Sequence, residues 1–300
     1  MTNDYGILLE SGTNELEIVE FEVQDNKYGI NVMKVKEIIQ PMPITFIPHA
    51  HDHIEGIIQL RDEVLPVIDM AKVLGMPPSA NQATDKYIVT EFNQQKVVFH
   101  VQNVTRIHRI SWTDIEKPSE MYQGIDNQII GVIKMSETMI LLIDFEKIVV
   151  DINPYSGIHI DQIQSLGKRE RSEKQLIVAE DSPLLRKLIH DTLSEAGYDQ
   201  VEFFENGQLA YDYLESTIEQ ENTFEKVKLI VTDIEMPKMD GHHLTKRIKE
   251  HPQLNKLPVI IFSSLITDEL RHKGKGVGAD AQVSKPEIAR LVEYIDELAL

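Results

Sequence analysis

Four short apolar runs in the second half of the chain share one layout, and that layout constrains the fold more than any other feature. Leu176-Ile177-Val178-Ala179 runs into Glu180-Asp181, and Leu229-Ile230-Val231-Thr232 runs into Asp233. Val259-Ile260-Ile261-Phe262 runs into Ser263, and Ala281-Gln282-Val283-Ser284 into Lys285-Pro286. Short, branched, almost unbroken apolar runs suit strands of a parallel sheet that is covered on both faces. Such sheets gather ligands at the carboxyl edge of their strands, where strand order reverses. The layout therefore sets three carboxylates, a hydroxyl and an ammonium along one edge.

Helix signals fill the gaps. Ser182 is a good N-cap, Pro183 suits the first helical position and Gly197 suits a C′ stop. Between them Leu184, Leu185, Leu188, Ile189 and Leu193 fall on one stripe. A strand is predicted over 201–204, and helices over 208–217, 242–250, 268–273 and 288–299. Five strand–helix units make a doubly wound α/β domain on a five-stranded parallel sheet.

The first half reads as all-β. Val19, Phe21 and Val23 alternate with Glu20, Glu22 and Gln24, the period of a half-buried strand, and a turn over 24–27 leads to a second strand from Tyr28 to Val32. Further strands are predicted over 57–60, 64–68, 87–91, 97–101, 107–112, 129–135 and 139–143, with short helices over 32–40 and 70–75. Many short strands with frequent turns point to a barrel or sandwich. Residues 151–173 change character, with Asn153-Pro154, Ser156-Gly157 and a charged run that begins at Lys168, and read as a linker.

Composition narrows the function classes. Three hundred residues accommodate two domains. Forty-nine acidic against 30 basic residues give a net charge of -19, which repels a phosphate backbone and disfavours nucleic acid. The absence of cysteine excludes disulfides, thiolate nucleophiles and cysteine-ligated metals and suits a reducing cytoplasm. No apolar run approaches the roughly 20 residues that span a bilayer, so no membrane insertion is expected. Met1 to Glu10 does not read as a signal peptide.

Glu180, Asp181 and Asp233 brought together would repel unless they met a cation. A hard divalent ion with oxygen ligands, Mg²⁺, is the natural solution, and it usually shares its site with phosphate. Lys285 and Ser263 add a positive charge and a donor, so the anion expected there is a phosphoryl group. Asp233 can itself be the nucleophile. Any one of these acids alone could merely end a strand or cap a helix; four strand ends converging on one chemistry argue otherwise.

On these residues, 174–300 resembles the receiver (response-regulator) domain of two-component signalling. The resemblance implies a flavodoxin-like fold, Asp233 as phosphoacceptor, and a Mg²⁺ site made of Glu180, Asp181, Asp233 and the backbone carbonyl of Glu235. It implies that Ser263 and Lys285 stabilise the phosphoryl group. Met236-Pro237 and Asp240-Gly241 match the loop after the acceptor, and Lys285-Pro286 is often cis in that family. Gln282 stands where many members carry a Tyr or Phe switch residue.

Residues 15–150 resemble the CheW-like coupling domain. The similarity rests on Tyr28-Gly29-Ile30, Val35-Lys36-Glu37-Ile38, the run from Ile54 to Arg61, Leu65-Pro66-Val67-Ile68-Asp69, Ile130-Gly131-Val132 and Leu141-Leu142-Ile143-Asp144. It implies a pair of small SH3-like five-stranded barrels that bind the histidine kinase CheA and the cytoplasmic tips of chemoreceptors (methyl-accepting chemotaxis proteins). Arg61 matches an arginine of the receptor-binding surface, and Glu37 lies in a segment used for the same purpose. Asp62 stands where many relatives have Gly and would tune that contact. The order of the two domains, and residues 7–17, which run from the opening segment 1–14 into the coupling domain, are similar to chemotaxis adaptors that combine both.

The expectation is a cytoplasmic phosphorylatable adaptor, associated with receptor arrays, that couples receptors to the kinase and adjusts the coupling when Asp233 is phosphorylated. It is not expected to be an enzyme beyond slow autodephosphorylation. The alternatives are a phosphate sink that leaves coupling unchanged and, from another class, a Mg²⁺-dependent phosphohydrolase with an Asp nucleophile. No basic helical module follows the receiver, which disfavours a DNA-binding regulator. Three features carry less weight: His49, His51 and His53 follow Pro48 in a loop, His242-His243 is expected to begin a helix at the surface, and Trp112 is expected to pack.

Overall fold

Alternating strands in the first half close into hairpins, and the hairpins assemble into two sheets. The computed structural model describes residues 15–80, 84–93, 95–116, 128–136, 138–153, 170–218, 227–266 and 268–299. The opening segment before residue 15 and most of the expected linker lie outside the described residues. Strands β1 (Glu15–Val23), β2 (Asn26–Asn31), β8 (Asn103–Ser111), β9 (Ile115–Glu116), β10 (Ile129–Lys134) and β11 (Met139–Ile143) form one sheet, in the order β8-β1-β2-β11-β10-β9. Strands β3 (Val35–Ile39), β4 (Ile54–Leu60), β5 (Glu63–Asp69), β6 (Lys86–Phe92) and β7 (Gln95–Val101) form the other, in the order β3-β6-β7-β5-β4. The first sheet thus has six strands rather than five, because the two-residue β9 pairs with β10.

The core includes Phe21, Tyr28, Phe99 and Phe145, with Phe145 edge-on to Phe21 and Phe99 at centroid distances of 5.8 and 4.7 Å. Phe145 comes from α2 (Phe145–Ile152), which starts at the Asp144 cap; the shorter α1 (Met70–Val73) starts at the Asp69 cap. Trp112 packs on the smaller cluster around Ile18 and Ile110, as expected.

Two local expectations fail for tertiary reasons. The alternation in β1 predicts an outer polar face, yet Glu20 is only 1% exposed. β1 runs between β8 and β2, and Glu20 is satisfied there by Lys27, Thr105 and His108. The helix expected over 32–40 is a single 3-10 turn, Val32–Lys34, followed by β3. The branched Val35, Ile38 and Ile39 pair antiparallel with β6 instead, and sheet pairing overrides a marginal helix.

In the second half β12 (Gln175–Ala179), β13 (Val201–Phe204), β14 (Val227–Thr232), β15 (Val259–Ser263) and β16 (Ala281–Ser284) form an all-parallel sheet in the order β13-β12-β14-β15-β16. This is the doubly wound order whose switch point lies between the first and third strands in sequence. Helices α3 (Pro183–Glu195), α4 (Gly207–Ile218), α5 (Gly241–Glu250), α6 (Asp268–Gly276) and α7 (Ile288–Leu298) follow the strands in turn. Ser182 caps α3 through its hydroxyl, which accepts from the Leu185 amide at 3.4 Å. Gly197 ends that helix region at φ 92°, and a Cβ there would collide with the Glu170 carbonyl.

His242 departs from expectation. It is 1% exposed, because it shares the inward stripe of α5 with Thr245 and Ile248. Burial and nearby Lys273 push its pKa down to about 4, so the ring is neutral. The peptide bonds of the described residues are trans, Lys285–Pro286 included.

The two halves also meet. Leu265, just after β15, and Leu270 of α6 are 0% and 6% exposed and belong to the same apolar cluster as Phe21, Phe99 and Phe145.

Candidate functional site

Parallel strand ends bring the acids to one place. β12 and β14 are neighbours, with Ala179 paired to Thr232, so the residues that follow them emerge side by side. Carboxylate oxygens of Glu180, Asp181 and Asp233 lie within 4.8 Å of one another. Asp233 is held from three directions. Its amide donates to the Ala179 carbonyl at 2.9 Å, the Ile234 amide donates to its Oδ1 at 2.6 Å, and Lys285 Nζ donates to its Oδ2 at 2.9 Å. Lys285 Nζ also lies 3.1 Å from Glu180 Oε2. Glu180, Asp233 and Lys285 are each no more than 5% exposed, whereas Asp181 reaches solvent.

The backbone of the acid pair is fixed by Arg186, in the first turn of α3. Its guanidinium donates to the carbonyls of Glu180 and Asp181 at 2.7 and 2.9 Å. The loop after the acceptor returns close to it: the Gly241 amide donates to the Ile234 carbonyl, and a Cβ on Gly241 would strike the Asp233 carbonyl. Glycine is required there by the close approach. Asp240 then caps α5 by accepting from the His243 amide at 2.8 Å.

The electrostatics are unbalanced toward negative charge. Burial, Asp233 and Asp181 push the Glu180 carboxyl up to about 8, against the pull of Lys285. Burial works against a charged Lys285, but Asp233, Glu180 and Glu146 outweigh it and raise its pKa well above the usual lysine value. Three oxygen-donor side chains crowded together beside one ammonium fit a hard divalent cation. Glu180, Asp181 and Asp233 could hold Mg²⁺. The Glu235 side chain turns away to Lys34, at 3.0 Å, and to Asn31.

Ser263 ends β15 fully buried, and its Oγ accepts from the Leu265 amide at 3.3 Å. Gln282 is tied to α6: its Nε2 donates to the Arg271 carbonyl at 2.8 Å. Arg61 and Glu37 sit apart from this site and against each other, 3.0 Å apart, with the Arg61 side chain 76% exposed. The His51 and His53 rings are 4.7 Å apart, but the triple-acid cluster is the candidate cation site among the described residues.

Sequence reasoning missed Arg186, Lys34, Asn31, Glu146 and Ser264. Arg186 was detectable, as a cation one helical turn past the acid pair. Lys34, Asn31 and Glu146 belong to the other half of the chain and carry no local signal.

Both halves of the chain match known families. The CheW-like domain model matches residues 17–153, and the response regulator receiver domain model matches residues 176–296. Chemotaxis protein CheV3 of Helicobacter pylori is 32% identical over 95% of this chain and 95% of its own length. Chemotaxis protein CheW of Treponema pallidum is 26% identical over 45% of this chain and 82% of its own. The scaffolding protein TtCheW from Thermoanaerobacter tengcongensis aligns at 31% identity over 43% of this chain and 89% of that one, with a TM-score of 0.41. On the full-length match and the order of the two domains, this chain belongs to the CheV family of chemotaxis proteins, a CheW-like domain followed by a receiver.

Proposed function

We propose that this chemotaxis adaptor couples chemoreceptor tips to the histidine kinase CheA through its CheW-like domain, and that it accepts a phosphoryl group on Asp233 to adjust that coupling. The observation that carries the reading is the setting of Asp233. It is an anchored carboxylate at the end of a parallel strand, flanked by two acids and held by Lys285 at 2.9 Å. In the transfer, an oxygen of Asp233 attacks the phosphorus of a phosphohistidine. The N–P bond breaks with its electron pair going to the imidazole, which takes a proton from solvent, and an acyl phosphate O–P bond forms. Glu180, Asp181, Asp233 and the Glu235 carbonyl would hold Mg²⁺, which when bound would supply positive charge to the transferring phosphoryl oxygens. Lys285 offers its ammonium to the new phosphoryl group, and the Ser263 hydroxyl donates to it.

The protein acts as a signalling adaptor rather than an enzyme. In an Asp-nucleophile phosphohydrolase, an acid/base group commonly stands two residues after the nucleophile. Here that residue is Glu235, and Lys34 and Asn31 engage its side chain. Arg61 and Glu37 are assigned to the receptor-binding surface, where their mutual pairing presets the exposed guanidinium. The protein works in the cytoplasm at receptor arrays, with residues 15–150 and 174–300 as its domains and 151–173 as the linker. Adjustment of coupling is favoured over a phosphate sink because the segment after Ser263 packs into the CheW-like domain.

Asp233→Asn is expected to abolish phosphate uptake from acetyl phosphate with Mg²⁺, read by intact-protein mass. Uptake undiminished in the variant would overturn the assignment. In reconstituted receptor–kinase assemblies, beryllofluoride-treated protein is expected to change kinase activity at fixed phosphate flux, whereas a sink would leave it unchanged.

A further inference from the structure

The acid pocket continues into the other domain. The Ser264 hydroxyl donates to Glu146 Oε1 at 2.6 Å, and Glu146 comes from the first turn of α2. Lys34 Nζ lies 3.0 Å from Glu146 Oε1 and 3.0 Å from Glu235 Oε2, so one ammonium from the CheW-like domain joins a carboxylate of each domain. The Asn31 side chain donates to Glu235 as well. The backbone adds a further tie, as the Asn93 amide donates to the Ser264 carbonyl at 2.9 Å. Leu265 then inserts into the core around Phe21 and Phe99. The segment directly after Ser263 is therefore fastened to the CheW-like domain by a side chain, a main-chain bond and an apolar anchor.

These ties use the same charges as the acceptor. Lys285, bonded to Asp233, also acts on Glu146. Although desolvation in this half-buried position works against its charge, Lys34 and Lys285 together keep the Glu146 carboxyl well below the usual range. Asp144, the cap of α2, is a further carboxylate that senses Lys285 and Lys34.

We infer that the CheW-like domain is a removable cap on the acceptor site, latched by Lys34, Glu146 and Ser264, and that docking of this cap and phosphoryl occupancy of Asp233 oppose each other. The inference rests on the reading of Asp233 as the acceptor. A phosphoryl group brings about two negative charges. It draws Lys285 toward itself, which leaves Glu146 and Asp144 less compensated, and it repels both of them and Glu235. It also draws the Ser263 hydroxyl, and Ser263 shares a peptide bond with Ser264. Each change strains the latch. Linkage makes the effect reciprocal, so whatever factor docking costs phosphorylation, phosphorylation costs docking.

The test uses the full chain and amide hydrogen exchange, with Mg²⁺ and beryllofluoride as the phosphoryl mimic. Exchange of the Asn93 and Leu265 amides is expected to quicken about tenfold when the mimic binds. Glu146→Gln and, independently, Lys34→Met are expected to quicken the same amides without the mimic and to speed phosphate uptake from acetyl phosphate. Unchanged or slower exchange at Asn93, with the mimic bound and the Ile234 amide protected, would overturn the cap while leaving the acceptor reading intact. If acetyl phosphate gave no uptake that depends on Asp233, the acceptor reading and the cap would both fall.

Discussion

Lys285 holds together two buried carboxylates that would otherwise repel. Its ammonium is 2.9 Å from Asp233 and 3.1 Å from Glu180, and all three side chains are buried. Removing one partner of a buried ion pair usually costs about 3–5 kcal/mol, because the others lose their counter-charge. Lys285→Met is expected to lower stability by about that amount in urea unfolding without divalent ions. A loss under about 1 kcal/mol would show that the Lys285–Asp233 pair behaves as a solvated one. Glu20 gives a pH test in the other domain. Its burial opposes ionisation, but hydrogen bonds from Thr105, His108 and Lys27 outweigh this and bring its pKa to about 2 from the ordinary 4.5. The folded value lies below the unfolded one. Its contribution is therefore complete above pH about 4.5 and is lost as pH falls toward 2. The amount is on the order of 3 kcal/mol. Glu20→Gln is expected to flatten the acid limb of stability against pH in that window; an unchanged slope would refute the assignment.

At the level of elements, the connection from β15 to α6 does two jobs. It ends the strand that presents Ser263, and it sends Leu265 into the partner domain. Truncating a fully buried leucine typically costs about 2–5 kcal/mol. Leu265→Ala is expected to show that loss as separated melting of the two domains in calorimetry, since the shared apolar anchor is what makes them unfold together. A single transition at the original temperature would count against the shared core. The strand ends were readable because each apolar run stops at a charged or hydroxyl residue, and a parallel sheet turns that sequence pattern into a spatial one. The stretch 32–40 was not readable in the same way. Its spacing allowed a helix, and only its pairing with β6 made it a strand. His242 went astray for a related reason: a polar residue at a helix start looks exposed until the packing of α5 is known.

For the whole molecule, the acid cluster predicts a stabilising cation. If Mg²⁺ binds the folded receiver and not the unfolded chain, a concentration about 100 times the Kd adds about 2.7 kcal/mol. The thermal unfolding transition is expected to rise with Mg²⁺, to return when a chelator is added, and to respond less in Asp181→Asn. A transition indifferent to Mg²⁺ would refute the assigned ion. The sequence by itself determined the parallel sheet, its acidic edge and the residues that meet there, because each of those features is set by local periodicity and by where a strand ends. Tertiary structure alone decided that Lys34, Asn31 and Glu146 reach that edge from the other domain, and that Arg61 rests against Glu37. Those contacts join residues far apart in the chain, and docking of two surfaces leaves no periodic trace in either one.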